Sequence, residues 1–149
     1  MEPGVRINYT PALSEGDKGR LAVCVKPIYG TWPDVVSLVE FFEFYRLLGA
    51  DHFVLYNATD EQNVAKVLAH YQRHEGLMTV VKWGLERVGL RSGTNIRTQA
   101  LFTALNDCAL RIRGRFGLGA AVDLDEFIIP QEDGTLQVQK LSRDIKARV

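Results

Sequence analysis

Apolar residues along this chain fall into two kinds of run that alternate. Short continuous runs occur at Leu21-Ala22-Val23-Cys24-Val25, at 51–56, at 77–83 and at Leu118-Gly119-Ala120-Ala121-Val122. Runs of this kind predict strands, and their apolarity on both faces suits a parallel sheet. Between them, apolar residues recur three and four positions apart. Val35, Leu38, Phe42, Tyr45 and Leu48 do so in 35–48, with Gly49 as a stop. Val64, Val67, Leu68 and Tyr71 do so in 61–75, and Ala100, Leu101, Ala104, Leu105, Cys108 and Ile112 in 98–112. That spacing predicts three helices, each with one buried face. Strand, helix, strand, helix, strand, helix, strand is the order of an α/β layer fold with a mostly parallel, Rossmann-like central sheet.

The segments between elements read as loops. Residues 1–19, with two prolines and three glycines, predict a loose lead-in, and 20–149 the folded part. Lys26-Pro27-Ile28-Tyr29-Gly30 predicts a loop after the first strand, and Asn57-Ala58-Thr59-Asp60 a turn after the second. Residues 84–97, rich in glycine and arginine, predict a long irregular loop. After 128 the pattern weakens to a short strand or turn at 134–138 and a partial helix. No repeat or low-complexity stretch is present. Ligands of open α/β sheets bind at the carboxyl ends of the strands, so the segments following each strand are where chemistry is expected.

Charge narrows the partners. The 149 residues carry 18 basic and 18 acidic side chains, and this balance gives no broad positive field for a nucleic-acid backbone. No apolar run reaches the ~18 residues that span a bilayer. The N-terminal MEPGVRINYT has no signal-peptide core. Two cysteines, Cys24 and Cys108, read either as small buried hydrophobes or as a disulfide formed in an oxidising lumen. Triplets for N-glycosylation begin at Asn8 and Asn57. The three histidines have no shared ligand spacing and read as structural or exposed. Arg111, Arg113 and Arg115 crowd a helix end, where cations offset open carbonyls.

The sharpest chemical signal is Val122-Asp123-Leu124-Asp125-Glu126-Phe127, which ends the fourth apolar run. In extended backbone, positions i and i+2 project to one side, so Asp123 and Asp125 would converge while Leu124 turns into the core. Paired carboxylates favour a hard divalent cation such as Mn²⁺ or Mg²⁺, completed by phosphate oxygens and water. Taken alone the motif also reads as an acidic surface turn. Aspartate-dependent phosphatases carry a similar pair, but usually on the first strand.

The chain resembles glycosyltransferase family 92. The resemblance is carried by Cys24-Val25-Lys26-Pro27-Ile28-Tyr29-Gly30, Leu38-Val39-Glu40-Phe41, Tyr45-Arg46-Leu47-Leu48-Gly49 and Asp51-His52-Phe53. Leu55-Tyr56-Asn57, Gly76-Leu77-Met78-Thr79-Val80 with Trp83, Asn106-Asp107-Cys108 and 122–130 continue it in the family's order. The resemblance implies a GT-A fold and inverting, metal-dependent transfer of a hexose, galactose above all, from a UDP-sugar donor to a glycan acceptor. It also implies a single-pass Golgi membrane protein with a lumenal catalytic part, although this chain shows no anchor. Carried over by position, Asp123 and Asp125 match the metal motif, with Asp125 the direct ligand and Asp123 also touching the donor. Lys26 and Pro27 lie where the first strand meets the nucleotide, and Asn57 where uracil is contacted. Gln99 and Asn106 lie on the helix beside the diphosphate or donor sugar. Glu40 reads equally as structural, and Glu126 as support for the motif. Only 22 residues follow Phe127, whereas the family's general base and acceptor site lie further on. The chain is therefore expected to be a truncated form, with the alternative that it is a catalytically weak or inactive nucleotide-sugar binder.

Overall fold

A computed structural model describes residues 13–14, 16–30, 34–73, 76–84 and 100–129. A single 3-10 turn at Asp17–Gly19 leads into β1 (Leu21–Tyr29), α1 (Val35–Leu47), β2 (Ala50–Ala58) and α2 (Gln62–Arg73). Next come β3 (Met78–Lys82), α3 (Leu101–Ile112) and β4 (Leu118–Val122). The strands form one parallel sheet in the order β3-β2-β1-β4. The α/β reading and the four strands expected from the apolar runs are those observed. The lead-in before residue 13, the loop from 85 to 97, His74 and the segments after 129 lie outside the described residues, as does the triplet at Asn8.

Strand alternation divides the core into two layers. Leu21, Val23 and Val25 of β1, Phe53 and Leu55 of β2, and Val122 of β4 face one side, where they pack on α1 and α2. Cys24, Val54 and Tyr56 face the other side and pack on Ala104 and Cys108 of α3. Helices thus cover both faces, which is why the strands read as continuous apolar runs. Asp34 starts α1 by accepting from the N–H groups of Val36 (3.0 Å) and Ser37 (3.3 Å). Gly49 closes the helix at φ 96°, a conformation that costs a residue with a Cβ. The inner faces of α1 and α2 are aromatic: Phe42 meets Phe53 edge-on at 5.1 Å, and Tyr71 in a tilted arrangement at 4.8 Å. The Tyr71 hydroxyl donates to Glu43 Oε1 at 2.7 Å, and Arg46 holds the same carboxylate. On the opposite face the Tyr56 hydroxyl donates to Asp107 Oδ2 at 2.8 Å, with Arg111 donating to that oxygen. Burial and the adjoining carboxylates push both phenols well above their ordinary range, so each remains a neutral donor.

Of the two readings open for the cysteines, the disulfide is the one observed. Cys24 of β1 is joined to Cys108 of α3, with Cα atoms 6.0 Å apart and 84 residues of separation. Closing so long a loop removes much of the unfolded chain's freedom. Replacing both cysteines with alanine is therefore expected to lower the unfolding free energy by about 4 kcal/mol, read from urea denaturation of the oxidised protein and the double variant.

His52 is buried in the second layer. Its Nδ1 meets the Gly76 carbonyl, its Nε2 lies 2.9 Å from Thr79 Oγ1, and its ring stacks on Phe116 at 5.4 Å. Burial holds its pKa below the ordinary 6.5; the Gly76 carbonyl opposes this, and Arg115 and Arg20 add to it. The unfolded chain therefore takes up this proton at higher pH than the folded one does, and stability falls as pH drops below about 6.5. Urea midpoints measured from about pH 7.5 down to about pH 5.5 are expected to decrease, and to decrease less steeply in His52→Asn, whose amide retains a donor for Gly76.

Candidate functional site

After β1 the chain builds β2 and β3 on one side, and then returns through α3 to place β4 on the other. The strand order therefore reverses between β1 and β4. In parallel sheets the crevice at such a reversal, beyond the carboxyl ends of the two strands, is where ligands bind. β1 and β4 are in register from Leu21↔Leu118 to Val25↔Val122. The residues that follow are Lys26, still within β1, and Asp123, just past the end of β4, both predicted from sequence as site residues. Both follow a residue that faces α1 and α2, so both turn toward the α3 face. They meet there: Lys26 Nζ is paired with Asp123 Oδ1.

Lys26 and Pro27 do not form the loop their sequence predicts, because β1 continues through Tyr29. The register with β2 passes from Val25↔Leu55 to Ile28↔Asn57, so two residues of β1 stand opposite Tyr56 alone. This is a bulge, and Pro27 suits it because no ladder donor is lost there. The extra residue also resets the alternation, which returns Ile28, 1% exposed, to the core.

Asp123 is fixed by a turn. Glu126 N–H donates to the Asp123 carbonyl at 3.1 Å, and the Glu126 carboxylate accepts from Asp123 N–H at 2.9 Å. The backbone therefore bends at Leu124-Asp125, and the expected extended geometry that would align Asp123 with Asp125 does not form. Leu124 packs on the core as expected, while Asp125 is exposed. Asp123 Oδ1 is shut off from solvent and accepts no oriented hydrogen bond among the described residues, leaving the Lys26 ammonium as its counter-charge. The expected supporting role of Glu126 is the one its carboxylate performs.

The sequence reading missed the anchor of this turn. The Tyr45 hydroxyl, from α1, donates to the Glu126 carbonyl at 3.0 Å and faces the Ile128 N–H at 3.3 Å. Its ring lies parallel to that of Phe127 at 6.5 Å, and Phe44 meets Phe127 edge-on at 4.9 Å. A tyrosine on the buried face of a helix must find a partner for its hydroxyl, and that was the available signal. Burial pushes the Tyr45 phenol upward in pKa, which keeps it a proton donor.

The side chains of Asn57 and Asn106 bond elsewhere than to this pair. Asn57 belongs to β2 rather than to a turn; its Oδ1 accepts from Thr59 N–H at 3.0 Å, and its carbonyl accepts from Trp83 N–H at 2.8 Å. Thr59 in turn donates to the Gly30 carbonyl at 2.7 Å. Next to it, an open cleft of about 580 Å³ is lined by Gly30, Thr59, Asp60 and Glu61 among others. It carries two carboxylates and no cation among its lining residues. Asn106 is exposed on α3 and donates to the Phe102 carbonyl of its own helix at 2.8 Å. Gln99 lies outside the described residues. Glu40 is exposed on α1.

The family model for glycosyltransferase family 92 matches residues 19–147. The chain belongs to glycosyltransferase family 92. No curated protein and no solved structure matches it. As a family 92 glycosyltransferase it places Lys26 and Asp123 at the edge where its fold class binds ligands.

The residues present fit a hard divalent cation only of one kind. Among the described residues no three His, Cys, Asp or Glu side chains converge to cage a metal. Mg²⁺-like ions do not need a cage; they take one or two carboxylates and fill the remaining positions with phosphate oxygens and water. Asp123 and Asp125 would offer such oxygens, from a turn rather than from extended backbone. Tyr45→Phe is expected to lower the unfolding free energy by about 1 kcal/mol, and to speed hydrogen exchange at the Ile128 amide more than at amides of β2.

Proposed function

We propose that this family 92 chain binds a UDP-sugar across the β1–β4 crevice and serves inverting transfer of a hexose, galactose in the first instance, to a glycan acceptor. The observation that carries this reading is the meeting of Lys26 and Asp123 where the strand order reverses. A cation and a carboxylate on adjoining strand ends are complementary to a metal-bound diphosphate. In this reading the fold is of the GT-A type. Asp125 and Asp123 hold Mn²⁺ or Mg²⁺, and the ion offsets negative charge on the departing UDP when bound. Lys26 donates to diphosphate oxygens, beside the Pro27 bulge, and Asn57 at the end of β2 takes the uracil. Asn106 and Gln99, on and just before α3, are assigned to the donor side. Asp123 orients the donor sugar as well as contributing to the metal site. Glu126 is committed to the Asp123 amide and shapes the turn, so proton removal from the acceptor hydroxyl falls to another carboxylate.

The Cys24–Cys108 disulfide supports an oxidising compartment, in keeping with a Golgi lumen. No helix among the described residues is long and apolar enough to cross a membrane.

Thermal denaturation with UDP and Mn²⁺ together is expected to raise the melting temperature, and Asp125→Ala to abolish the rise without altering the ligand-free melt. With labelled UDP-galactose and glycan acceptors, the same substitution is expected to lower transfer by about a hundredfold or more. A melting shift without any transfer would mark the chain as a nucleotide-sugar binder instead. No shift with any uridine nucleotide and metal would refute the reading.

A further inference from the structure

A cation supplied by the chain itself sits against Asp123. Asp123 Oδ1 is closed to solvent, and the Lys26 ammonium accounts for its charge. A divalent ion and this ammonium cannot both lie against that oxygen, because like charges at such range repel strongly. The Lys26 side chain is 39% exposed and that of Asp123 30%, so the pair is neither deeply buried nor free in water. Pairs of this exposure are weak enough to be exchanged. A lysine also carries its charge on a flexible four-carbon stem, which can swing away from the strand end while the backbone stays fixed.

We propose that Lys26 is the resident counter-ion of Asp123 and makes binding of the metal and of the nucleotide diphosphate interdependent. This rests on the donor reading given above. When metal arrives alone, it must displace the ammonium and leave it unpaired beside a dication. When metal arrives with a diphosphate, the displaced ammonium finds phosphate oxygens within its reach, and the charges on the strand ends are again balanced. Each ligand therefore raises the affinity of the other, by reciprocal coupling that runs through one side chain. Lys26 is a positioning residue in the empty protein and a diphosphate ligand in the loaded one.

The test is a titration of Mn²⁺ followed by loss of the free-ion electron paramagnetic resonance signal, with and without UDP. It uses the oxidised wild type, Lys26→Met and Lys26→Gln, each first shown to melt like the wild type. Without UDP, both variants are expected to bind Mn²⁺ about three- to fivefold more tightly than wild type, because no ammonium has to be displaced. At saturating Mn²⁺, both are expected to bind UDP about tenfold more weakly, because a charge-assisted contact is lost. The coupling between the two ligands shrinks accordingly. If bare Mn²⁺ binds the variants no more tightly than wild type, while wild type binds Mn²⁺ with UDP, the inference is overturned and the donor reading stands. If none of the chains binds Mn²⁺ with or without UDP, the donor reading falls and takes this inference with it.

Discussion

β1 is paired on both sides through Val25, and beyond that residue it is paired only with β2. The site follows from this change in pairing. As long as β4 runs alongside, each strand's side chains are committed to one core layer or the other. Where β4 ends in the turn at 123–126, the next residue of each strand faces the α3 layer without a further apolar neighbour to satisfy. Lys26 and Asp123, each only partly shielded from water, pair with one another there. The sheet edge thus holds the charge that its interior excludes.

Much of the fold was legible because parallel strands covered on both faces leave an unambiguous trace. The runs beginning at Leu21 and Leu118, and the helical spacing of Leu38, Phe42 and Tyr45, depend on nothing but local pattern and burial. The borders were less legible. Proline and glycine in 26–30 read as loop punctuation, yet β1 runs through Pro27 because a bulge needs no donor at that position. Asn57-Ala58 read as a turn, yet the pair extends β2 by bonding beside Ile28 and Tyr29. Both misreadings arise from contacts with a strand distant in sequence, which local pattern does not encode.

The site was legible in its residue types rather than in its geometry. Asp123 stood out because three carboxylates end an apolar run, and Lys26 through family likeness. That these two would touch depends on the β1–β4 register, and the 96 residues between them hide it from any local reading. The expected convergence of Asp123 and Asp125 assumed that the strand continued. The reciprocal bonds between Asp123 and Glu126 end it instead, and Tyr45 secures that ending from a helix whose sequence advertised only apolar packing.

The bond between Cys24 and Cys108 has a topological consequence. It makes a covalent ring that contains α1, β2, α2, β3 and most of α3. Tension applied to the two ends of the polypeptide passes across the sulfur bridge and bypasses that ring, so pulling strips away the outer segments and leaves the inner strands unstretched. A protease that cuts once inside the ring opens it without releasing either piece. A ring anchored in the central strand answers both kinds of insult with a single linkage.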